Sequence, residues 1–582
     1  MVRSTRCCVL LSLFVSGCTG GSALTGSLGA DTDTGDTDVV SDTSVDPDVT
    51  DDVEVGEDTG DVDVIDDIDV VDDVDALDDA DAGDGDDADA GDVEVIEDTV
   101  TGTDIVVSDD GVASIAVGEA GRLLLVGIVV TPEVAFAGEV LVVGDEIVCV
   151  APDDACSGDP EAVGATIVDT DGAVIAPGLI DTHNHILFDI FDDDDWLPSM
   201  TYSNHDQWPN EPRYAAMLDV KQCLADASQG KPDWCPAAYD GAGSLLCEMD
   251  KWGELKGLVA GTTSIVGLPG TGRACYGSLS RSVDSPQNDL DGDHIQTSAL
   301  FPPSKSSADG VCANFADGDT DAYLIHCGEG VDDKAYDEFA KLGSLTTTPM
   351  CLYAPQTVIT HGTAFGPDEF AVMAAHGMKL TWSPASNIAL YGETTDIPAA
   401  LSADLLITLA PDWSMGGSQN ILDELRFAAA WDDEHFNDAL RPRDLVMMTT
   451  ENAAFALALD DRLGTLAPGM LADIAVFRGV GDPYEAIVGS TPASVVLVMV
   501  GGKVLYGDVA LEPAAPQTPG CEQLTICGVD KFLCVAEASS ADELDQTYAE
   551  IEAALQAGLV DLDAVSGTGF TFAPLAPLVH CE

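Results

Sequence analysis

The chain has 582 residues, of which 46% are hydrophobic, so it is long enough and apolar enough to form a large core. Its 105 Asp and Glu residues face only 21 Lys and Arg residues, which gives a formal net charge of −84. A field of that sign repels polyanions and therefore excludes nucleic acid and an anionic lipid surface as natural partners.

The N-terminal segment has the features of a bacterial secretion signal. Arg3 and Arg6 precede a short apolar run, and Ser16-Gly17-Cys18 follows it, as before a lipid-modified cysteine. An ordinary signal peptide with a chance cysteine is the alternative. We expect residues 1–18 to be a lipoprotein signal and Cys18 to carry the lipid. No later segment has the roughly 20 apolar residues of a spanning helix, so this anchor would be the one link to the cell envelope.

The next segment is strongly acidic. Residues 19–110 are dominated by Asp, Val, Thr and Gly and contain no aromatic residue, Lys or Arg. Adjacent like charges oppose collapse into a core, which predicts a disordered tether over residues 19–118. Calcium binding is the alternative, but the Asp repeats lack the ordered Gly and terminal Glu of a calcium loop.

The cysteines predict disulfides. Of the 16 cysteines, 13 follow the tether, and export would permit them to pair. Cys149 and Cys156 are near neighbours, and four others cluster near the C-terminus. The connectivity does not follow from sequence, and an odd number leaves at least one free thiol. No Cys-x-x-Cys pair occurs, which disfavours a zinc ribbon or a thioredoxin-like site.

Two β-rich segments flank a region in which strands and helices alternate. Short strands and tight turns are predicted over residues 119–178 and 464–512, including a hairpin at Asp171-Gly172. We expect these flanks to form one small composite β-sandwich domain. The alternation over residues 179–463 predicts an α/β fold, a (β/α)8 TIM-like barrel. Residues 513–582 form a Cys-containing C-terminal extension.

Two helices of the barrel and one of the extension have local signals. Pro367 begins one helix and Gly377 ends it, and an apolar face runs along residues 420–431. In the extension, Leu544, Tyr548, Ile551 and Leu555 have helical spacing.

Metal-binding residue types follow several predicted barrel strands. Four of the nine histidines in the chain lie at such strand ends, together with one late aspartate: His183, His185, His326, His361 and Asp412. Alternate side chains of an extended strand point the same way, so His183 and His185 can bind one ion. Imidazoles with one carboxylate hold a zinc-like ion and leave a position for water.

From Arg122 to Tyr506 the chain resembles the amidohydrolase superfamily. Within it, the chain is most similar to the subgroup of cytosine, guanine and S-adenosylhomocysteine deaminases and triazine hydrolases. Six motifs in the order of that subgroup carry the resemblance: Pro177-Gly178-Leu179-Ile180-Asp181-Thr182-His183-Asn184-His185, His326-Cys327-Gly328-Glu329, His361-Gly362, Ser383-Pro384-Ala385-Ser386-Asn387, Asp412, and Gly464 to Asp473.

The resemblance implies a site and an activity. His183, His185, His326 and Asp412 would ligate one divalent metal ion, zinc or alternatively iron. His361 would orient the attacking water, Asp412 would receive its proton, and Glu329 would transfer protons. The activity would be hydrolysis of a carbon–nitrogen bond in a small cyclic amide, amidine or heterocyclic amine, as in the deaminases.

Two further residues are candidate substrate contacts. Asn387 could touch substrate or form an Asx-turn, and Trp413 could be a substrate wall or simple packing. The insertion Leu187–Cys247 is where we expect substrate-covering loops. The remaining histidines are expected to be ordinary surface or core residues: His205, His294, His376, His435 and His580.

Two alternatives differ in their chemistry. A two-metal cyclic amidase or dipeptidase typically uses a carboxylated lysine in mid-barrel, for which Lys305 is the only candidate. A surface binding lipoprotein without activity is the other, although retention of every expected ligand argues against it. The sequence does not indicate the oligomeric state.

Overall fold

The structure is a computed structural model and describes nine ranges: residues 106–107, 111–227, 230–267, 279–284, 290, 294–299, 301–516, 521–536 and 546–581. The expected signal, the lipidation site Cys18 and most of the expected tether lie outside the described residues. None of the helices within these ranges is both long enough and apolar enough to cross a membrane.

The N-terminal flank consists of five strands. They are β1 (Ser114–Ala116), β2 (Glu119–Val130), β3 (Ala135–Val143), β4 (Glu146–Pro152) and β5 (Ala165–Pro177). The expected tether is wrong at its C-terminal end, because β1 pairs with β5 and Val107 is buried in a bridge to Gly481. Val107 and the residues of β1 therefore belong to the folded sheet.

The hairpin predicted at Asp171-Gly172 is wrong. Both residues have positive φ, +53° and +85°, as a tight turn would require. However, the segments before and after them both run parallel to β2, with Val168 opposite Leu125 and Val174 opposite Ile128. The two residues therefore form an irregularity inside one long strand rather than a reversal.

Eight parallel strands follow among the residues that the structure describes. They are β6 (Leu179–Asp181), β7 (Thr262–Ile265), β8 (Arg281–Ser282), β9 (Ile295–Ser298), β10 (Ala322–Cys327), β11 (Thr357–His361), β12 (Lys379–Trp382) and β13 (Ile407–Leu409). Ladders join β6–β7–β8 and β9–β10–β11–β12–β13, and a parallel bridge between Asn184 and Asp412 connects the ends after β6 and β13. The result is a TIM-barrel-like α/β fold. Full closure stays a prediction, because the described residues include no ladder between β8 and β9.

Ten α-helices accompany these strands within the described residues. They are α1 (Pro212–Leu224), α2 (Leu246–Leu258), α3 (Lys305–Asp317), α4 (Asp333–Ser344), α5 (Pro367–Ala375), α6 (Pro384–Tyr391), α7 (Ile397–Ser402), α8 (Ile421–Trp431), α9 (Pro442–Met448) and α10 (Glu451–Ala456). The expected helices α5 and α8 are confirmed. Asn420 caps α8 by accepting the backbone N–H groups of Leu422 and Asp423.

The C-terminal flank completes the β sheet. Its elements are β14 (Ile474–Phe477), α11 (Pro483–Val488), β15 (Val495–Val500), β16 (Lys503–Asp508), β17 (Cys521–Ile526), β18 (Val529–Cys534) and α12 (Tyr548–Val565). β14 pairs antiparallel with β5, so strands from both flanks belong to one ten-stranded sheet. The sandwich arrangement and the other domain boundaries stay predictions.

The C-terminal extension packs against the barrel region. Tyr548 of α12 stacks on Trp252 of α2, and the Gln546 amide donates to Glu248. Five disulfides are present among the described residues: Cys149–Cys156, Cys223–Cys235, Cys312–Cys351, Cys521–Cys534 and Cys527–Cys581. The expected free thiol is Cys327, which is buried.

Candidate metal centre and active site

Four of the expected site residues converge at the ends of the parallel strands. His183 follows β6, His326 lies in β10, His361 ends β11 and Asp412 follows β13. One ligand atom from each lies within 4.8 Å of the others, and all four residues are buried. The Nε2 atom of His183 is 2.9 Å from Oδ1 of Asp412. Residues far apart in sequence thus form one compact set of metal donors.

His185 lies at the edge of this group. Its Nε2 is 3.4 Å from the same Asp412 oxygen, and its side chain is 13% exposed against 1% for His183. The four-residue group therefore contains His361, the expected orienting residue, and lacks His185, an expected ligand. The division of roles between these two imidazoles stays a prediction.

Backbone and carboxylate groups fix the orientation of the histidines. Asp181 accepts the backbone N–H of His183 and the side-chain amide of Asn184, both at 3.0 Å. The Nδ1 atom of His326 is 3.2 Å from the carbonyl oxygen of Ser298. A carbonyl can only accept, so Nδ1 carries the proton and Nε2 keeps its lone pair for a metal.

Two site residues have strained backbones. His361 and Asp412 both have φ of +72°, which non-glycine residues rarely adopt. The carbonyl of His361 accepts the Thr395 hydroxyl at 2.7 Å, and the backbone of Asp412 bonds to His183 and His185. Such strain persists only where the surroundings over-determine it, and it clusters at functional sites.

Helix α6 orients three of the candidate catalytic side chains. The Ser386 hydroxyl donates to Oδ2 of Asp412. The Asn387 amide donates to Thr363 at 2.8 Å and lies 3.4 Å from Nδ1 of His361. The Tyr391 hydroxyl donates to Oε1 of Glu329 at 2.6 Å. One short helix therefore holds Asp412, His361 and Glu329 in a fixed relation.

Asn387 contacts neighbouring side chains of the site. It is buried in α6, which leaves no place for the Asx-turn considered as its alternative role. Its Oδ1 atom is buried without a hydrogen-bond partner. The predicted contact with substrate stays a prediction.

Burial sets the protonation of the site. It lowers the pKa of His183 and of His326 to about 3, so both imidazoles are neutral near pH 7. Burial also raises the pKa of Glu329 to about 7, against the opposing effects of His205 and of the Tyr391 hydrogen bond. Neutral imidazoles with one carboxylate are the donor set that a divalent ion such as zinc requires, so these residues fit the expected metal.

An aromatic cluster lies beside the donor group. The ring of Trp413 is 5.5 Å from that of His185 and contacts four aromatic residues of the insertion, Phe188, Trp196, Trp208 and Tyr214. Trp413 is buried, and its indole Nε1 has no hydrogen-bond partner. Trp413 thus packs beneath the insertion, and its expected role as a substrate wall stays a prediction.

Several functional contacts had no signal in the sequence. Tyr391 and Ser386 lie on α6, and the site residues that they contact are decided only when the barrel assembles. Trp208 belongs to an insertion whose apolar residues have no helical or strand spacing. His205, expected to be an ordinary residue, has Nε2 2.8 Å from Oε1 of Glu338, and its charge lowers the pKa of Glu329. It is therefore a neighbour of the site.

Lys305 does not support the two-metal alternative. It begins α3 at the protein surface with its side chain 56% exposed, and its Nζ donates to Asp309 and Thr347. A lysine that bridges two metals must instead lie inside the barrel. The position of Lys305 thus excludes the only lysine proposed as a bridge between two metals.

Comparisons with known proteins agree with this architecture. A model of the amidohydrolase family matches residues 313–505. The 5'-deoxyadenosine deaminase of Methanothermobacter thermautotrophicus is 25% identical over 375 residues, which is 60% of this chain and 85% of that protein. The 5-methylthioadenosine/S-adenosylhomocysteine deaminase of Symbiobacterium thermophilum is 26% identical over 434 residues, 66% of this chain and 94% of its own length.

Among solved structures, the zinc complex of atrazine chlorohydrolase from Arthrobacter aurescens has the same fold. It is 18% identical with a TM-score of 0.50, and the match covers 68% of this chain and 96% of that one. The family match includes three of the converging residues, His326, His361 and Asp412. The fold, the order of the donors and these matches show that the chain is similar to the amidohydrolases, and they support a metal-dependent hydrolase.

Proposed function

We propose that the protein hydrolyses the bond between a ring carbon and an exocyclic nitrogen in a small heterocyclic amine and releases ammonia or an amine. The observation that carries this proposal is the convergence of His183, His326, His361 and Asp412 beside a buried carboxyl, Glu329. The deaminases to which the chain is similar support the substrate class. A cyclic amide or amidine belongs to the same reaction class, because its carbon is also electron-poor.

The donor group would hold a divalent ion, most simply zinc. When bound, such an ion acts as a Lewis acid and makes water acidic enough to give a nucleophile near neutral pH. Asp412 accepts the proton that the nucleophile loses. The Ser386 hydroxyl already donates to Oδ2 of Asp412. Oδ1, which faces His183 and His185, is therefore the oxygen available to the ion and to the proton.

Glu329 supplies a proton to the departing nitrogen. A carboxyl with a pKa of about 7 is substantially protonated at neutral pH and can donate without a large energetic penalty. His361 is neutral, because burial lowers its pKa well below the usual value. It can therefore donate a hydrogen bond to the oxygen that attacks the ring carbon.

Ammonia release from a panel of heterocyclic amines and cyclic amides tests this proposal. Purified protein loaded with zinc should release ammonia from at least one amine, and His326→Ala should not. If the metal-loaded protein releases no ammonia from any compound of a broad panel, a surface binding protein is favoured instead. Release of a ring-opened acid from a cyclic amide, together with two metal ions per chain, would favour the two-metal cyclic amidase.

We also propose that the protein is exported and anchored to the cell envelope through a lipid on Cys18. The apolar run before Cys18 supports this, and so do the five disulfides of the described residues, which form in oxidising compartments. Metabolic labelling with a fatty acid should mark the protein and should fail for Cys18→Ala. Equal labelling of that variant would contradict the proposal.

A further inference from the structure

Residues 202–208 of the insertion contact both elements that surround Glu329. The backbone N–H of Tyr202 donates to the carbonyl of Leu390 in α6 at 2.7 Å. On the other side, the carbonyl of Ser203 accepts the N–H of Val331 at 2.7 Å, and Asn204 forms a bridge to Gly330. This segment therefore connects helix α6 to the loop that carries Glu329.

A directed chain of hydrogen bonds runs through the same place. The indole Nε1 of Trp208 is 3.0 Å from the Tyr391 hydroxyl oxygen, and that hydroxyl is 2.6 Å from Oε1 of Glu329. An indole N–H can only donate, so the Tyr391 oxygen must accept from Trp208. The single proton of the hydroxyl then has one acceptor, Oε1 of Glu329. Burial raises the pKa of Tyr391 well above its usual value, which keeps that proton in place.

We propose that Trp208 and Tyr391 are positioning residues that reserve Oε1 of Glu329 as an acceptor, so that Oε2 carries the proton given to the leaving nitrogen. In the transfer the Oε2–H bond breaks and an N–H bond forms. The carbon–nitrogen bond breaks with its electron pair on nitrogen, and the remaining carboxylate keeps the Tyr391 hydrogen bond. The transfer step rests on the proposed function, whereas the assignment of the two oxygens does not.

Other charged or titratable groups also act on Glu329. His205 of the insertion favours its carboxylate form, while Asp412 after β13 and Glu338 of α4 disfavour it. None of these groups is removed by a change at Tyr391 or Trp208. A change in the protonation of Glu329 in those variants can therefore be assigned to the hydrogen-bond chain.

Infrared titration tests the assignment without any substrate. In the full-length protein, the carboxyl band that Glu329→Gln removes reports the protonation of Glu329 directly. Tyr391→Phe should raise the midpoint of that band by about one to two pH units, because a hydrogen bond to the charged form is lost. Trp208→Phe should raise it by less, because the Tyr391 hydroxyl remains but loses its orienting donor.

Tyr202→Phe is the matched control, because its hydroxyl donates to Glu211, away from Glu329. It should leave the midpoint unchanged. An unchanged midpoint in Tyr391→Phe, or an equal shift in Tyr202→Phe, would overturn the proposal. With an active amine, Tyr391→Phe should lower kcat at least tenfold with little change in KM. If no amine is hydrolysed while the midpoints shift as expected, the proposed function fails and the positioning stands.

Discussion

Arg281 and Asp473 form a buried ion pair that joins the barrel to the β sheet. Nε and Nη2 of Arg281 each lie 3.0 Å from one carboxylate oxygen of Asp473, and both side chains are buried. Asp473 also accepts the backbone N–H of Gly501 at 2.7 Å. This aspartate ends the last motif of the amidohydrolase resemblance, and its contacts give it a structural role.

Asp473→Asn should therefore lower the free energy of unfolding and leave metal binding unchanged. The change removes the negative charge that faces the buried Arg281 and weakens their hydrogen bonds, so the free energy of unfolding should fall by about 1–3 kcal/mol. Denaturant unfolding measures the loss, and metal content per folded chain should stay at the wild-type value. Lys305→Gln, which breaks an exposed pair with Asp309, should cost much less, because solvent screens that pair. Equal losses in the two variants would contradict the structural role.

The site residues could be predicted where local sequence carries the signal. His183 and His185 are separated by one residue after an apolar strand, His326 is the last residue but one of another, and His361 ends a third. Parallel strands place their carboxyl ends at one edge, so convergence followed from the strand assignments. The resemblance to a known superfamily added the role of Glu329.

The rest depended on contacts between distant segments. Ser386 and Tyr391 lie five residues apart on α6, and which strand ends they meet is decided only by how the barrel assembles. Trp208 lies in an insertion that no periodicity describes. Asp171 and Gly172 do have the positive φ that a tight turn requires. However, the segments on both sides pair in parallel with β2, so the chain does not reverse its direction there.

The metal site predicts a difference between two histidine variants. Wild-type protein should retain about one divalent ion per chain after dialysis, and His326→Asn should lose most of it because a buried donor disappears. His294→Asn changes a histidine whose side chain is 57% exposed, and it should retain the ion. Elemental analysis of the dialysed proteins measures both. Two ions per wild-type chain would instead support a two-metal enzyme.

A matched pair of serines tests the role of α6. Ser386→Ala removes the donor to Oδ2 of Asp412, and partners of a metal ligand typically contribute 10–100-fold in affinity or activity, so zinc affinity should fall by about that factor. Ser383→Ala removes a buried hydroxyl that has no hydrogen-bond partner, so affinity should be retained. Competition with a chelator measures both. A similar loss in the two variants would show that α6 acts through packing alone.

The buried carboxyl of Glu424 is expected to make the stability of the protein depend on pH. Burial raises its pKa from 4.5 to about 8. Between those values the unfolded chain releases this proton and the folded chain keeps it, so the free energy of unfolding falls as the pH rises. Glu424→Gln should remove this contribution, which is on the order of a few kcal/mol across the window.

Denaturant unfolding at several pH values tests this effect. The slope of unfolding free energy against pH should be smaller in Glu424→Gln than in wild type. Glu393→Gln, a change at an exposed carboxyl, should leave the slope as it is. A wild-type slope in the Glu424 variant would show that this carboxyl ionises freely in the folded state.

The pKa of Glu329 is expected to set how activity depends on pH. If it acts as the proton donor, only its protonated form is active, and this form declines as the pH rises through about 7. The kcat/KM for an active amine should therefore fall about tenfold per pH unit above that value. Glu329→Gln should lower kcat by about 10²–10⁴-fold and remove this limb of the profile, with metal content unchanged. A variant that keeps the same limb would assign the proton donor to another group.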